Sequence, residues 1–175
     1  FIDPGSYLYT AHPAWRNTLR ASSAHTTVVP AAYAATPTAI DLFQLPKQTQ
    51  HIDRQQVTEA SCSWQKTTIT RSSKIDTNEM EITDTITSED QTTINWYWHL
   101  GPSITIKPID SHHWLLASGQ KSLITLYAPL STALTQPAIV STTYGAQERT
   151  TILCFSAKTE QGNKMVQQFR ATLMR

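Results

Sequence analysis

Charge is what this chain has least of. Of its 175 residues only 15% are Asp, Glu, Lys or Arg, and the net charge is +1 with His neutral. A sum that small builds no global field, so neither nucleic acid nor a membrane surface is drawn to the chain as a whole. Cysteine is also scarce, with Cys62 and Cys154 alone. Two thiols make no disulfide framework, and nothing resembles zinc-knuckle spacing. Both sit in apolar-patterned runs and read as buried free thiols, which leaves the redox compartment open. No apolar run approaches the roughly 20 residues of a membrane span, and no segment reads as a signal peptide. Helical periodicity is almost absent and no internal repeat is found. Glycine is sparse, at 5 residues.

Uncharged polar residues fill the gap, above all Thr, Ser and Gln, alongside Ile, Val, Trp and Tyr. Branched and aromatic side chains suit a pleated, half-buried surface, so the composition is that of a β-sheet protein. The length fits one domain with a sizeable core. The run 93–100 shows the pattern best. Ile94, Trp96, Trp98 and Leu100 form an apolar face, and Thr93, Asn95, Tyr97 and His99 a polar one. Gly101-Pro102 ends that strand, and Ile104 and Ile106 point inward from the next. Trp96 and Trp98, sharing a face with Ile94 and Leu100, read as core before they read as sugar platforms; Trp114 joins that set.

Met80, Ile82 and Ile86 share a second face with Asp84, which therefore sits at a bend or meets a buried partner. Further strands are expected at 23–29, 52–64, 66–73, 112–117, 122–128, 138–143, 150–156 and 168–174. The tail 164–174 reads as a strand with Phe169, Ala171 and Leu173 on one face, in preference to a short helix. About ten or more short strands with no helix between them predict an all-β, antiparallel β-sandwich spanning 1–175. Segment 30–50, rich in Ala, Pro and Thr, reads as a long surface loop.

Charge is unevenly spread. Residues 51–100 carry eight acids against four bases, and 101–175 seven bases against three acids. Complementary strand surfaces explain this more simply than a binding patch. His12, His51, His112 and His113 fit no assigned pattern, since adjacent histidines on a strand point to opposite faces.

Chemistry-bearing residues concentrate in the first thirty positions: Asp3-Pro4-Gly5-Ser6-Tyr7-Leu8-Tyr9, then Trp15-Arg16-Asn17, Arg20, and Ala24-His25-Thr26-Thr27-Val28. This string resembles the heparinase II/III-like family of polysaccharide lyases, which show an Asp-Pro-Gly-Thr-Tyr-like turn, an Arg-x-x-x-Arg pair and an Ala-His-Asn-Thr-Val strand at about this spacing. Weaker echoes follow at Ile82-Thr83-Asp84-Thr85-Ile86, Trp98-His99-Leu100-Gly101-Pro102 and Ser141-Thr142-Thr143-Tyr144-Gly145.

The resemblance implies a layout. Family members join an N-terminal helical toroid to a C-terminal β-sandwich, with the cleft between them. This chain corresponds to the greater part of the sandwich and lacks the α-toroid. Its abrupt opening on a strand-like run is expected of a piece of a longer protein. The resemblance implies β-elimination on an acidic, uronate-containing polysaccharide, an isolated chain without activity, and a bacterial protein in the periplasm or secreted. It also assigns residues. Asp3 and His25 correspond to ligands of a zinc ion whose third ligand would precede Phe1. Their other reading is a metal-free hydrogen-bonded pair, and a third is that the two positions are unrelated. Arg16 and Arg20 correspond to clamps for the carboxylates or sulfates of the polymer, or else to ion-paired edge residues. Tyr9 joins them as a substrate-binding candidate, with packing as its alternative. Two departures stand out. Thr26 replaces the family's Asn, and Pro30-Ala31-Ala32-Tyr33 replaces its Asp-Gly turn. They leave open a non-catalytic carbohydrate-binding or interaction sandwich derived from the same scaffold.

Overall fold

A computed structural model describes residues 1–2, 4–5, 13–35, 49–52, 57–130, 133–143 and 145–174. Their dominant element is the antiparallel strand. A four-stranded sheet has the order β1-β6-β11-β10, and an eight-stranded sheet the order β2-β3-β4-β5-β12-β9-β8-β7. In chain order the strands are β1 (Thr27–Pro30), β2 (Thr49–Ile52), β3 (Val57–Trp64), β4 (Thr67–Ile75), β5 (Glu79–Ser88) and β6 (Thr93–His99). They continue as β7 (Ile104–Pro108), β8 (His113–Ser118), β9 (Lys121–Tyr127), β10 (Ala133–Val140), β11 (Glu148–Lys158) and β12 (Lys164–Leu173). No helix among the described residues is long and apolar enough to cross a membrane.

The chain divides into two compact units. One comprises Phe1–Lys47, Ile94–Ile104 and Ala133–Ser156; the other comprises Gln48–Thr93, Thr105–Thr132 and Ala157–Arg175.

The first unit is built on β6, an interior strand paired with β1 through Val28↔Trp96 and Thr27↔Tyr97. Ile94, Trp96, Trp98 and Leu100 are all buried, as their alternation requires. On the expected polar face Thr93 and Asn95 are half-buried, but Tyr97 and His99 are buried, at 9% and 1% exposure. The reason lies in the N-terminal segment. Ile2 N donates to His99 O at 3.1 Å, and the Ser23 carbonyl meets the His99 ring at 2.9 Å. Phe1 packs edge-on against Trp98, with centroids 4.6 Å apart.

The same unit holds the one α-helix described, α1 (Pro13–Arg20), which the expectation of a helix-free chain missed. Its eight residues are fewer than a periodicity window needs. Pro13 at the first helical position and Arg20 in the last turn both favour a helix there. A 3-10 turn follows at Ser22–Ala24, so the strand expected at 23–29 begins only at Thr27. A second 3-10 turn, Ala31–Tyr33, occupies the described start of the expected loop; positions 36–48 lie outside the described residues.

The second unit is the eight-stranded sheet. On one of its faces lie Ile69, Ile82, Ile86, Leu126 and Phe169, all buried. Asp84, on that face and fully buried, meets Arg71 directly across the β4–β5 ladder. Arg71 Nε donates to Asp84 Oδ1 at 2.7 Å and its Nη2 to Oδ2 at 2.8 Å. Of the two expected solutions for Asp84, the buried partner is the one adopted. The tail is the strand β12, paired to β5 through Phe169↔Ile82 and to β9 through Ala171↔Leu126. Cys154 is buried and Cys62 half-buried, and both are free thiols.

Candidate functional site

Helix α1 carries Arg16 and Arg20 four residues apart, a spacing that puts both on one side. It contains no acidic residue in its first turn. Leu19 and Ala21 are buried and anchor its C-terminal end. Arg16 is half-buried, and its Nε donates to a neutral group, Asn17 Oδ1, at 3.2 Å. Arg20 is also half-buried.

His25 stands at the exit of the 3-10 turn, half-buried, with its amide donating to Ser22 O at 3.2 Å. The turn is tied at three points. Ser23 N donates to Ala34 O at 2.8 Å. Ser23 O meets Nε2 of buried His99 at 2.9 Å. Thr26 Oγ1 accepts the His99 amide at 3.1 Å and donates to Ile2 O at 3.4 Å.

His99 therefore grips the chain two residues before His25, one residue after it, and one residue before Asp3. On the far side of Asp3, Pro4 O accepts the Ser141 amide at 2.8 Å. The motifs that stand far apart in sequence thus share one hydrogen-bonded frame: Asp-Pro-Gly, Ala-His-Thr, Trp-His-Leu and the Ser141 turn. Asp3 and Tyr9 themselves lie outside the described residues.

Sequence reasoning missed His99, Thr26 and Ser141 as supports. All three stand in the motifs quoted for the resemblance, and alternation along the strand puts His99 on its polar face, but neither signal marks them as supports.

Among the described residues no three of His, Cys, Asp or Glu gather as a metal set. His25 alone of the two expected zinc ligands is described. An imidazole on a turn held at both flanks suits a metal ligand, but it is a single donor. Neither thiol is suited to nucleophilic work. Burial pushes Cys154 up to about 11 and raises Cys62 as well. Trp96, Trp98 and Trp114 are buried at 0%, 1% and 6% exposure, so they are core and not stacking platforms.

The helix α1 thus carries two guanidinium groups one turn apart, and the adjoining turn carries an imidazole. The profile of the family described as heparinase II/III-like, C-terminal, matches residues 1–168. No curated protein matches the chain. Among solved structures, a heparinase III gene product superposes with a TM-score of 0.80 at 17% identity, over 99% of this chain and 28% of that one. The heparan sulfate lyase HepC from Pedobacter heparinus superposes with a TM-score of 0.78 at 13% identity, over 98% of this chain and 28% of that one. At such identities the likeness is one of fold, and it places the chain in the β-sandwich class. The chain spans little more than a quarter of the length of either protein.

Proposed function

Because the chain belongs to the heparinase II/III-like family, as its C-terminal domain of polysaccharide lyases, we propose that it forms one wall of a cleft that cleaves an acidic, uronate-containing polysaccharide by β-elimination. The observation that carries this reading is the placement of Arg16 and Arg20 on α1, next to the turn that fixes His25.

β-Elimination removes the proton α to a uronate carboxylate and expels the glycosidic oxygen at the neighbouring carbon. The α-proton is weakly acidic until the carboxylate charge is offset. A guanidinium does this with paired hydrogen bonds to both carboxylate oxygens. Arg16 and Arg20 supply that role, and the base and acid come from outside this chain. On that division of labour the isolated chain binds polymer and does not cleave it. Asp3 and His25 are the donors this chain would offer to a zinc ion, which when bound would supply a fixed positive charge beside the substrate. A carboxylate and an imidazole are suitable donors for it.

The test is an ultraviolet assay for unsaturated uronate products, using the full-length protein and a panel of uronate-containing polymers. Product accumulation is expected with at least one polymer, and a sharp fall in kcat/KM with Arg16→Ala or Arg20→Ala. Silence across the panel, with retained polymer binding, supports instead a non-catalytic binding sandwich on the same scaffold.

A further inference from the structure

The face of the eight-stranded sheet opposite Ile82, Asp84 and Ile86 has a character that β-elimination does not use. Its cross-strand registers lay out rows. One is Ser63–Thr68–Thr87 and the next is Ser61–Thr70–Thr85. Ser72 and Thr83 continue the array, with Gln168 beside them. Within the first two rows Ser63 Oγ lies 2.9 Å from Thr68 Oγ1, and Ser61 Oγ lies 3.1 Å from Thr70 Oγ1. These side chains are half-buried or exposed. From β3 to β12 this face carries three acids, Glu59, Glu79 and Glu81, and three bases, Lys74, Lys164 and Arg170, so its charges cancel. Val166 on this face is 51% exposed.

The array leads at one end into a groove of about 490 Å³, whose lining includes Glu79, His113, Tyr127 and Arg170. That volume falls within the few hundred to about 1,000 Å³ usual for small-ligand sites. Its lining side chains contact one another. The Tyr127 and His113 rings lie 5.2 Å apart. Asp110 holds His113 Nδ1 at 2.9 Å and also accepts the His112 and His113 amides at 2.7 and 2.9 Å. The other ring nitrogen of His113 is therefore directed away from Asp110. Arg170 Nε reaches Glu79 at 3.3 Å and its Nη2 reaches Glu81 at 3.6 Å.

We propose that this groove seats a neutral sugar, and that the hydroxyl-bearing face beyond it is the track along which the rest of an uncharged saccharide chain lies. A tyrosine ring beside carboxylate, guanidinium and imidazole groups matches the apolar face and hydroxyl rim of a pyranose. Hydroxyls that both donate and accept suit a ligand made of hydroxyls. The cancelled charge and the three carboxylates argue against a polyanion, whose binding needs an excess of bases. This site is separate in residues and in sheet from the Arg16, Arg20 and His25 cluster, and it stands or falls without the lyase reading.

The full-length protein is titrated calorimetrically with cellohexaose, maltohexaose and chitohexaose, and with heparin and a hyaluronan hexasaccharide as polyanions. Saturable binding of at least one neutral hexasaccharide is expected. Tyr127→Leu should weaken it by about fivefold or more, and the paired change of two half-buried hydroxyls, Thr70→Val/Thr85→Val, by about twofold or more. Both variants should keep the wild-type melting profile; the hydroxyl pair serves as the readout if Tyr127→Leu unfolds. Three outcomes overturn the proposal: no neutral oligosaccharide binds, binding survives both variants unchanged, or heparin competes at the same site as strongly as the neutral sugars.

Discussion

Gly5 and Ser141 approach so closely that a Cβ on Gly5 would lie 2.2 Å from the Ser141 carbonyl oxygen. Gly5 also has a φ of 68°, in the left-handed region. Two independent constraints thus demand glycine at the turn after Asp3, and the Pro4 O to Ser141 N bond locks the same contact. Gly5→Ala is expected to destabilise the domain by more than the roughly 1–3 kcal/mol of a strained backbone alone. Gly119→Ala is the control, since Gly119 has a φ of 59° with nothing within 4 Å of the added carbon. Thermal unfolding should show the larger loss for Gly5. Equal losses would mean that the Ser141 contact is not tight.

The Arg71–Asp84 pair gives a second expectation. Asp84 has no exposed side-chain surface, and the guanidinium engages both of its oxygens. Removing Arg71 leaves a fully buried carboxylate without its partner, so Arg71→Met should cost about 3–5 kcal/mol. Replacing both, as Arg71→Met/Asp84→Leu, should recover most of that loss, because two apolar side chains of similar size bury without a desolvation penalty. Denaturant unfolding of the two variants checks the order. A double variant as unstable as the single one would show that the pair contributes beyond its own charge balance.

The legibility of this fold in its sequence varies with the distance over which each feature is decided. The strand at 93–100 and its buried Ile94, Trp96, Trp98 and Leu100 follow from alternation alone, a property of neighbouring residues. That Asp84 needs either a bend or a buried partner also follows from its place among Ile82 and Ile86. Which partner does not, since only the β4–β5 register brings Arg71 opposite it. His99 was misread because the groups that bury it, Ser23 and Thr26, lie more than seventy residues away. Helix α1 was missed because eight residues give too few turns for a period to emerge. At the candidate site, Arg16, Arg20 and His25 were legible only through family motifs, and the structure adds that α1 and a tethered turn carry them. Asp3 and Tyr9, read from the same motifs, lie outside the described residues.

Arg16 and Arg20 should differ from lysine in a way that a simple positive charge would not. If they clamp carboxylates or sulfates bidentately, Arg16→Lys and Arg20→Lys keep the charge and lose the fork. Each is expected to raise KM on an acidic polymer about three- to tenfold, with the alanine variants higher still. The alanine variants should also flatten the dependence of KM on salt, since screening acts on the lost charge. Steady-state kinetics of the full-length protein at two ionic strengths reads both effects. Lysine variants indistinguishable from wild type would leave only a diffuse electrostatic role.

Cys154 allows a prediction on pH. Burial raises its thiol from the ordinary 9.0 to about 11. The folded state therefore holds that proton more tightly than the unfolded chain does. The resulting stabilisation is complete below pH 9 and disappears as pH climbs towards 11, because in that range unfolding releases a proton that the folded thiol still retains. Cys154→Ala should remove this component, so the fall in melting temperature between pH 9 and 11 should be shallower than in the wild type. The same burial predicts a labelling order with iodoacetamide at neutral pH. Cys62, half-buried, should react slowly in the native protein, and Cys154, 6% exposed, only on unfolding. Peptide mapping after native labelling checks this. Early modification of Cys154 would show that the β11 strand opens far below global unfolding, and the pH effect assigned to its burial would then have to vanish with it.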